Sequence, residues 1–84
     1  MASVTLEPKA AEQLLDLPPR IKDRIGKLLT RLVSWPAISG AKPLRGELAG
    51  RFRLRTGDYR LQFRVLGETV IVEKIGHRDR FYEE

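Results

Sequence analysis

The spacing of apolar residues changes from a helical to a strand-like period near residue 50. Up to residue 32 the apolar positions recur every three or four residues, as they do on one side of an amphipathic helix. Pro8 suits the first turn of a helix, and the Pro18-Pro19 pair ends that helix near Leu17. The next helix carries one apolar stripe, formed by Ile21, Ile25, Leu28, Leu29 and Leu32. The two segments predict a helical hairpin with a single stripe to bury.

Beyond residue 50, apolar and polar residues alternate, which predicts β-strands with one buried face. Glycine-containing turns divide this part of the chain and favour an antiparallel meander. The predicted strands cover residues 51–55, 59–65 and 69–75, and a short first strand is predicted at residues 3–6. Residues 36–43 contain two prolines and a glycine and are predicted to form a loop.

The element order β-α-α-β-β-β predicts an α+β domain, with the helical hairpin packed on one face of an antiparallel sheet. Residues 1–84 are expected to form this single domain, with a modest core. No apolar run is long enough to cross a membrane and the first residues do not resemble a signal peptide, so a cytoplasmic location is expected. The chain has no cysteine and only one histidine, His77, so neither a metal site nor a cofactor is expected.

The positive charge is concentrated in the second half of the chain. The surplus behind the net charge of +5 lies between Lys42 and Arg80, where there are ten Lys and Arg and five Asp and Glu, while the rest has six of each. Eight of the ten are arginines, whose planar guanidinium groups bind phosphate through two hydrogen bonds and stack on bases. This distribution indicates either a polyanionic partner or a solubilising charged surface.

The strand alternation predicts that many of these arginines share one face of the sheet. Alternate side chains of a strand point the same way, so Phe52 and Leu54 are expected to face the helices while the arginines between them face solvent. The predicted open face carries Arg51, Arg53, Arg55, Arg60 and Arg64. Because opposed like charges destabilise a hairpin, a bound polyanion is favoured over a solvated face or one paired with an acidic protein.

The tail from Gly76 to Tyr82 offers side chains that could cleave RNA without a metal ion. Cleavage needs a base for the ribose 2′-hydroxyl, positive charge for the phosphorane and an acid for the leaving oxygen. Arginines suit the middle role, and either His77 or Tyr82 could serve at the two ends. A simpler interpretation makes His77 a hydrogen-bonding residue at the strand end and packs Tyr82 against the helices.

These residues resemble the RelE/ParE toxin superfamily over nearly the whole chain. The resemblance rests on Leu44-Arg45-Gly46, on the run from Arg53 through Gly57-Asp58-Tyr59-Arg60, and on Gly76-His77-Arg78 followed by Phe81-Tyr82. The predicted element order matches that superfamily as well. RelE-type members cleave messenger RNA in the ribosomal A site through attack of the 2′-hydroxyl, without metal. The resemblance therefore implies the toxin of a type II toxin–antitoxin system, acting as a ribosome-dependent endoribonuclease that arrests translation.

The resemblance also implies roles for individual residues. Arg60 and Arg78 match the catalytic arginines that hold and neutralise the scissile phosphate, and Tyr82 matches the C-terminal tyrosine that acts as base or stacks on a base. Arg51 and Arg53 match basic residues that stabilise the deprotonated tyrosine or the leaving oxygen, or that bind the RNA backbone. The other residues expected to bind RNA or phosphate are Arg45, Arg55, His77 and Arg80.

The superfamily leaves two other functions open. One is a ParE-like inhibitor of DNA gyrase without nuclease activity, and the other is a relative that binds RNA but does not cut it. Some relatives use a glutamate ahead of the second strand together with a histidine, and Glu47 lies near that region without aligning to it. A toxin also implies partners, namely a cognate antitoxin in a heterotetramer or larger complex, the ribosome and messenger RNA, and no membrane.

Overall fold

Two helices pack on one face of a five-stranded sheet in the computed structural model, which describes residues 1–81. Tyr82, one of the expected catalytic residues, lies outside the described residues. The strands are β1 (Ser3–Leu6), β2 (Lys42–Pro43), β3 (Arg51–Thr56), β4 (Tyr59–Leu66) and β5 (Thr69–His77), the helices are α1 (Pro8–Leu15) and α2 (Pro19–Leu32), and a 3-10 helix covers Gly46–Leu48. The predicted α+β fold with a helical pair on one sheet face is confirmed.

The sheet is mixed because its first strand is parallel to its last. The strand order is β1-β5-β4-β3-β2, and Val4 of β1 lies opposite Val70 of β5 in parallel register. The predicted antiparallel pairing holds for β2 to β5, whereas β1 adds a parallel edge. The long connection between β1 and β5, which includes both helices, permits parallel pairing. The alternation within residues 3–6 fits a parallel or an antiparallel strand equally well, so the sequence pattern did not determine the direction of β1.

The second strand lies in a segment that was predicted to be a loop. Lys42 and Pro43 pair with Arg53 and Phe52, at the outer edge of the sheet. Proline has no N–H group to donate, which an edge strand tolerates. The two prolines and the glycine of residues 36–43 hid this short strand from the hydropathy pattern.

The core lies between the helices and the inner face of the sheet. Its buried side chains are Ala10 of α1, Ile25, Leu28 and Leu32 of α2, and Leu54, Leu61, Phe63, Val70, Val72 and Ile75 of the sheet. Trp35, which follows α2, packs edge-on against Phe52 and Phe63, with ring centroids 4.8 Å and 5.2 Å away. This aromatic cluster fixes the end of α2 against β3 and β4.

Helix α1 completes the hydrogen bonding of β5 beyond the end of β1. The pairing of β1 with β5 ends at Leu6 and Val72, so no strand among residues 1–81 covers that side of the following part of β5. Gln13 of α1 fills the gap, because its Oε1 accepts a hydrogen bond of 2.7 Å from the backbone N–H of Ile75. A buried N–H group is thereby satisfied by a side chain instead of a strand.

The two leucines of β4 provide a matched test of this core. Leu61 is fully buried, whereas Leu66 at the end of the same strand is 65% exposed. We expect Leu61→Ala to lower the free energy of unfolding by about 2–5 kcal/mol because it leaves a cavity. Leu66→Ala should change it by no more than about 0.5 kcal/mol. Urea denaturation measures both, and comparable losses would contradict the core described here.

Candidate nucleic-acid interface

The register of β3 and β4 places six long polar side chains on the sheet face opposite the helices. We call this surface the arginine face, and its members are the pairs Arg51 and Arg64, Arg53 and Gln62, and Arg55 and Arg60. Directly opposed residues of antiparallel strands share a face, and the core residues Leu54 and Leu61 pair on the other one. Two of the three pairs therefore bring like charges together, which costs stability.

A β-bulge inserts an acidic residue into this face. Gln62 pairs with Lys74, but the next residue of β4, Phe63, pairs with Val72. Glu73 is therefore the extra residue of β5, and its side chain reaches the arginine face. Glu73 was not among the predicted site residues, because residues 69–75 were predicted only as a strand of the meander. A single acidic residue within that strand was the available signal.

Glu73 pairs with the arginines at one end of the arginine face. Its carboxylate accepts hydrogen bonds from Nε of Arg51 at 2.8 Å, from Nε of Arg64 at 3.1 Å and from Nε2 of Gln62 at 3.2 Å. The Glu73 side chain is only 12% exposed, while each arginine is about one third exposed. A second carboxylate, that of Glu7, lies 3.6 Å from Nη2 of Arg64. Positive charge is thus partly neutralised at this end.

The other end of the arginine face, next to the turn between β3 and β4, contains two arginines without carboxylate partners among the described residues. Within residues 1–81, neither Arg55 nor Arg60 makes an ion pair or a side-chain hydrogen bond. Arg78 follows β5 at the same end, where its backbone N–H donates to the carbonyl of Asp58 at 2.7 Å. Its Nε lies 3.7 Å from carboxylates of Asp58 and Asp79, and the side chain remains 57% exposed. These arginines are the ones available to an incoming anion.

His77 lies on the inner side of the sheet rather than on the arginine face. It pairs with Tyr59, whose side chain shares a face with Leu61, and the two rings meet edge to face with centroids 5.2 Å apart. Its Nδ1 accepts a hydrogen bond of 3.1 Å from the backbone N–H of Asp79. The structure therefore gives His77 a hydrogen bond at the strand end and does not bring its ring together with Arg60.

Phe81, the last described residue, lies on the same side of the sheet as the arginine face. Phe81 is buried, at 1% exposure, and lies close to Gly76, which pairs with Arg60. The ammonium group of Lys74 lies 4.7 Å from the centre of the Phe81 ring, in cation–π contact. Phe81 thus fixes the end of the described chain on the same face as Arg60.

The remaining expected residues lie at the margin. Arg45 is exposed and immediately precedes the 3-10 helix, next to Leu44, whose N–H bonds the carbonyl of Arg51. Arg80 is exposed in the turn after β5, where its N–H bonds the carbonyl of His77. Arg24 of α2 was not among the predicted site residues. Its guanidinium group lies beside Gly57 and adds positive charge next to the turn between β3 and β4.

Two further features of the described residues concern possible ligands. In the part of the chain up to residue 81, no three His, Cys, Asp or Glu side chains come together as ligands for a metal ion. Neither of the described helices has the length and apolar character needed to cross a membrane.

Comparison with known proteins identifies the family. Residues 4–82 match the family described as the ParE toxin of the type II toxin–antitoxin system parDE. The chain belongs to the RelE/ParE superfamily of toxins. Toxin RelG of Mycobacterium tuberculosis is 39% identical over 75 residues, a stretch that covers 87% of this chain and 86% of RelG. Membership in this superfamily makes the protein a RelE-like toxin of a type II toxin–antitoxin system.

Solved structures of the RelE/ParE superfamily agree with this assignment. The RelBE2 toxin–antitoxin complex of Mycobacterium tuberculosis contains a chain with 35% identity and a TM-score of 0.80, and the match covers 92% of this chain and 98% of that one. The isolated RelE toxin of E. coli has 22% identity and a TM-score of 0.77, with 92% and 84% of the chains covered. The similarity to E. coli RelE shows that the two proteins share a fold.

Two arginines of β4 provide a matched test of the divided arginine face. Arg64→Gln removes a charged donor from the largely buried Glu73, so we expect the free energy of unfolding to fall by about 1–2 kcal/mol. Arg60→Gln removes a side chain without a partner among residues 1–81 and relieves repulsion with Arg55, so a change within about 0.5 kcal/mol is expected. Guanidinium denaturation measures both, and equal losses would contradict the division.

Proposed function

We propose that this toxin is a ribosome-dependent, metal-independent endoribonuclease that cuts messenger RNA in the A site and arrests translation. The observation that carries the proposal is the placement of Arg60, which is unpaired within residues 1–81 and lies on an arginine-rich face at the end where Arg78 is exposed. Two guanidinium groups at one end of an open sheet suit a phosphate that gains charge in the transition state. Membership in the superfamily supports the same activity.

In the proposed reaction, the ribose 2′-oxygen attacks the adjacent phosphorus and the 5′-oxygen of the next nucleotide leaves. The products are a 2′,3′-cyclic phosphate and a free 5′-hydroxyl, which takes its proton from solvent water. Arg60 and Arg78 hold the phosphate and neutralise the phosphorane, while Tyr82 accepts the 2′-proton or stacks on a base. Arg51 and Arg53 stabilise the deprotonated tyrosine or the leaving oxygen, or bind the backbone. The remaining RNA contacts are proposed for Arg45, Arg55 and Arg80.

We further propose that a cognate antitoxin binds this chain in the cytoplasm, in a heterotetramer or larger complex. The toxin–antitoxin complex RelBE2 of Mycobacterium tuberculosis, which contains a chain 35% identical to this one, supports such a partner. An acidic segment of the antitoxin would neutralise the arginine face, and its binding would weaken with added salt.

Inhibition of DNA gyrase is the second candidate function. It is favoured by one observation, because the matching family model describes the ParE toxin. A gyrase inhibitor needs the same fold but no bond cleavage, and it would leave translation intact. Supercoiling by purified gyrase in the presence of this chain distinguishes the two candidates, because the ribonuclease proposal expects no inhibition.

The ribonuclease proposal predicts a large effect of Arg60→Ala. Loss of one group that stabilises transition-state charge is expected to slow messenger RNA cleavage by about 10²–10³-fold in a purified translation assay. Arg20→Ala is the matched control, since Arg20 is equally an arginine but lies exposed at the start of α2. The control should cut at the wild-type rate. Equal cleavage by both variants would contradict the role given to Arg60.

A further inference from the structure

Three donors converge on one carboxylate at the paired end of the arginine face. Arg51 and Gln62 donate to one oxygen of Glu73, and Arg64 donates to the other. All three distances lie between 2.8 Å and 3.2 Å. Guanidinium and amide groups that satisfy two carboxylate oxygens can satisfy two phosphate oxygens in the same way. The carboxylate therefore occupies a position with the chemistry of an anion site.

This anion site opens to solvent. It forms part of a shallow surface cavity of about 400 Å³, which Arg51, Gln62 and Glu73 line together with Glu7, Lys9, Glu47, Leu48 and Lys74. The arginines remain about one third exposed although Glu73 is nearly covered. A ligand can therefore approach Arg51 and Gln62 from the cavity, and it can approach Arg64 through that residue's own exposed surface.

The source of the carboxylate is an inserted residue. Because of the bulge, Glu73 has no paired residue on β4. This extra residue of β5 brings an acidic side chain to the arginines. With Glu73 in place, the three side chains Arg51, Arg64 and Glu73 carry a net charge of one positive unit instead of two. The carboxylate of Glu73 therefore occupies hydrogen-bond donors that could otherwise bind an anion from outside the protein.

We propose that Arg51, Gln62 and Arg64 form a second phosphate-binding subsite, which Glu73 occupies until the RNA backbone displaces it. The inference rests on the proposed function, takes backbone binding as the role of Arg51, and extends RNA binding from the scissile phosphate to another phosphate of the same strand. Arg64 and Arg60 are four residues apart on one strand, which corresponds to roughly 13 Å. The two ends of the face therefore bind different phosphates of the same RNA.

Competition between Glu73 and phosphate has a measurable consequence. Every phosphate contact that replaces a counterion adds to the slope of log affinity against log salt, by about 0.7 for single strands. Glu73→Gln removes the carboxylate that is hydrogen-bonded to both arginines, and Glu7 then remains only as a partner of Arg64 at 3.6 Å. The substitution should therefore tighten binding and make the slope steeper by about 0.7–1.4.

The test uses the full chain and a labelled single-stranded RNA whose sugars all carry 2′-O-methyl groups, so that no nucleophile for cleavage is present. Fluorescence anisotropy gives the affinity between about 50 and 200 mM salt. Glu68→Gln is the matched control, because Glu68 is exposed in the turn between β4 and β5 and its loss changes the net charge equally. The control should keep the wild-type slope. A Glu73→Gln slope equal to that of Glu68→Gln overturns the subsite.

A second measurement uses the wild-type chain and does not depend on how well the variant folds. The Nε–H groups of Arg51 and Arg64 are bonded to Glu73 and give observable proton–nitrogen NMR signals. Saturation with the same RNA should shift both signals as phosphate replaces the carboxylate. If both stay in place while the backbone signals of Arg60 and Arg78 move, Glu73 is a permanent counterion and the proposal is overturned.

The proposed function and the subsite fail in different ways. If the wild-type chain cuts messenger RNA on ribosomes and Glu73→Gln binds the modified RNA with an unchanged slope, only the subsite is lost. If the slope becomes steeper while the wild-type chain cuts no messenger RNA, the subsite stands and the nuclease assignment is lost.

Discussion

The register of the hairpin formed by β3 and β4 is the constraint on which the rest of the structure depends. Pairing Leu54 with Leu61 and Phe52 with Phe63 turns these apolar side chains towards the helices, and it leaves arginine opposite arginine on the other face. Burying Leu61 and Phe63 contributes roughly 1.5–3 kcal/mol for each side chain. An opposed pair of like charges costs about 0.2–1 kcal/mol. A shift by one residue would expose the apolar set, so the core holds the charges together.

The arginine face is divided into two ends with different electrostatics. At one end Glu73 and Glu7 neutralise part of the charge of Arg51 and Arg64. At the other end Arg60 has no partner within residues 1–81. A uniformly paired face would bind a polyanion weakly, and a uniformly unpaired one would lose stability by repulsion. The division places available charge where β5 ends and Phe81 packs on the sheet, which is where the proposed chemistry needs it.

Much of this architecture could be predicted from residue patterns, because the periods of helix and strand are local. The alternation around Leu54 and Phe63 predicted both the core and the arginine face. The parallel pairing of β1 and the position of Glu73 depend on contacts between distant segments, so the hydropathy pattern could not reveal them. His77 was expected beside the arginines, but its strand parity places it with Tyr59 on the inner side. The roles of Arg60 and Arg78 stay predictions.

We propose that this RelE-like toxin uses its arginine face to cut messenger RNA during translation. Primer extension on a transcript from cells that briefly express the chain tests it most directly. A ribosome-dependent ribonuclease should produce new 5′ ends within the coding region, and these ends should disappear when the start codon of that transcript is removed. Arrested growth without new 5′ ends would contradict the claim.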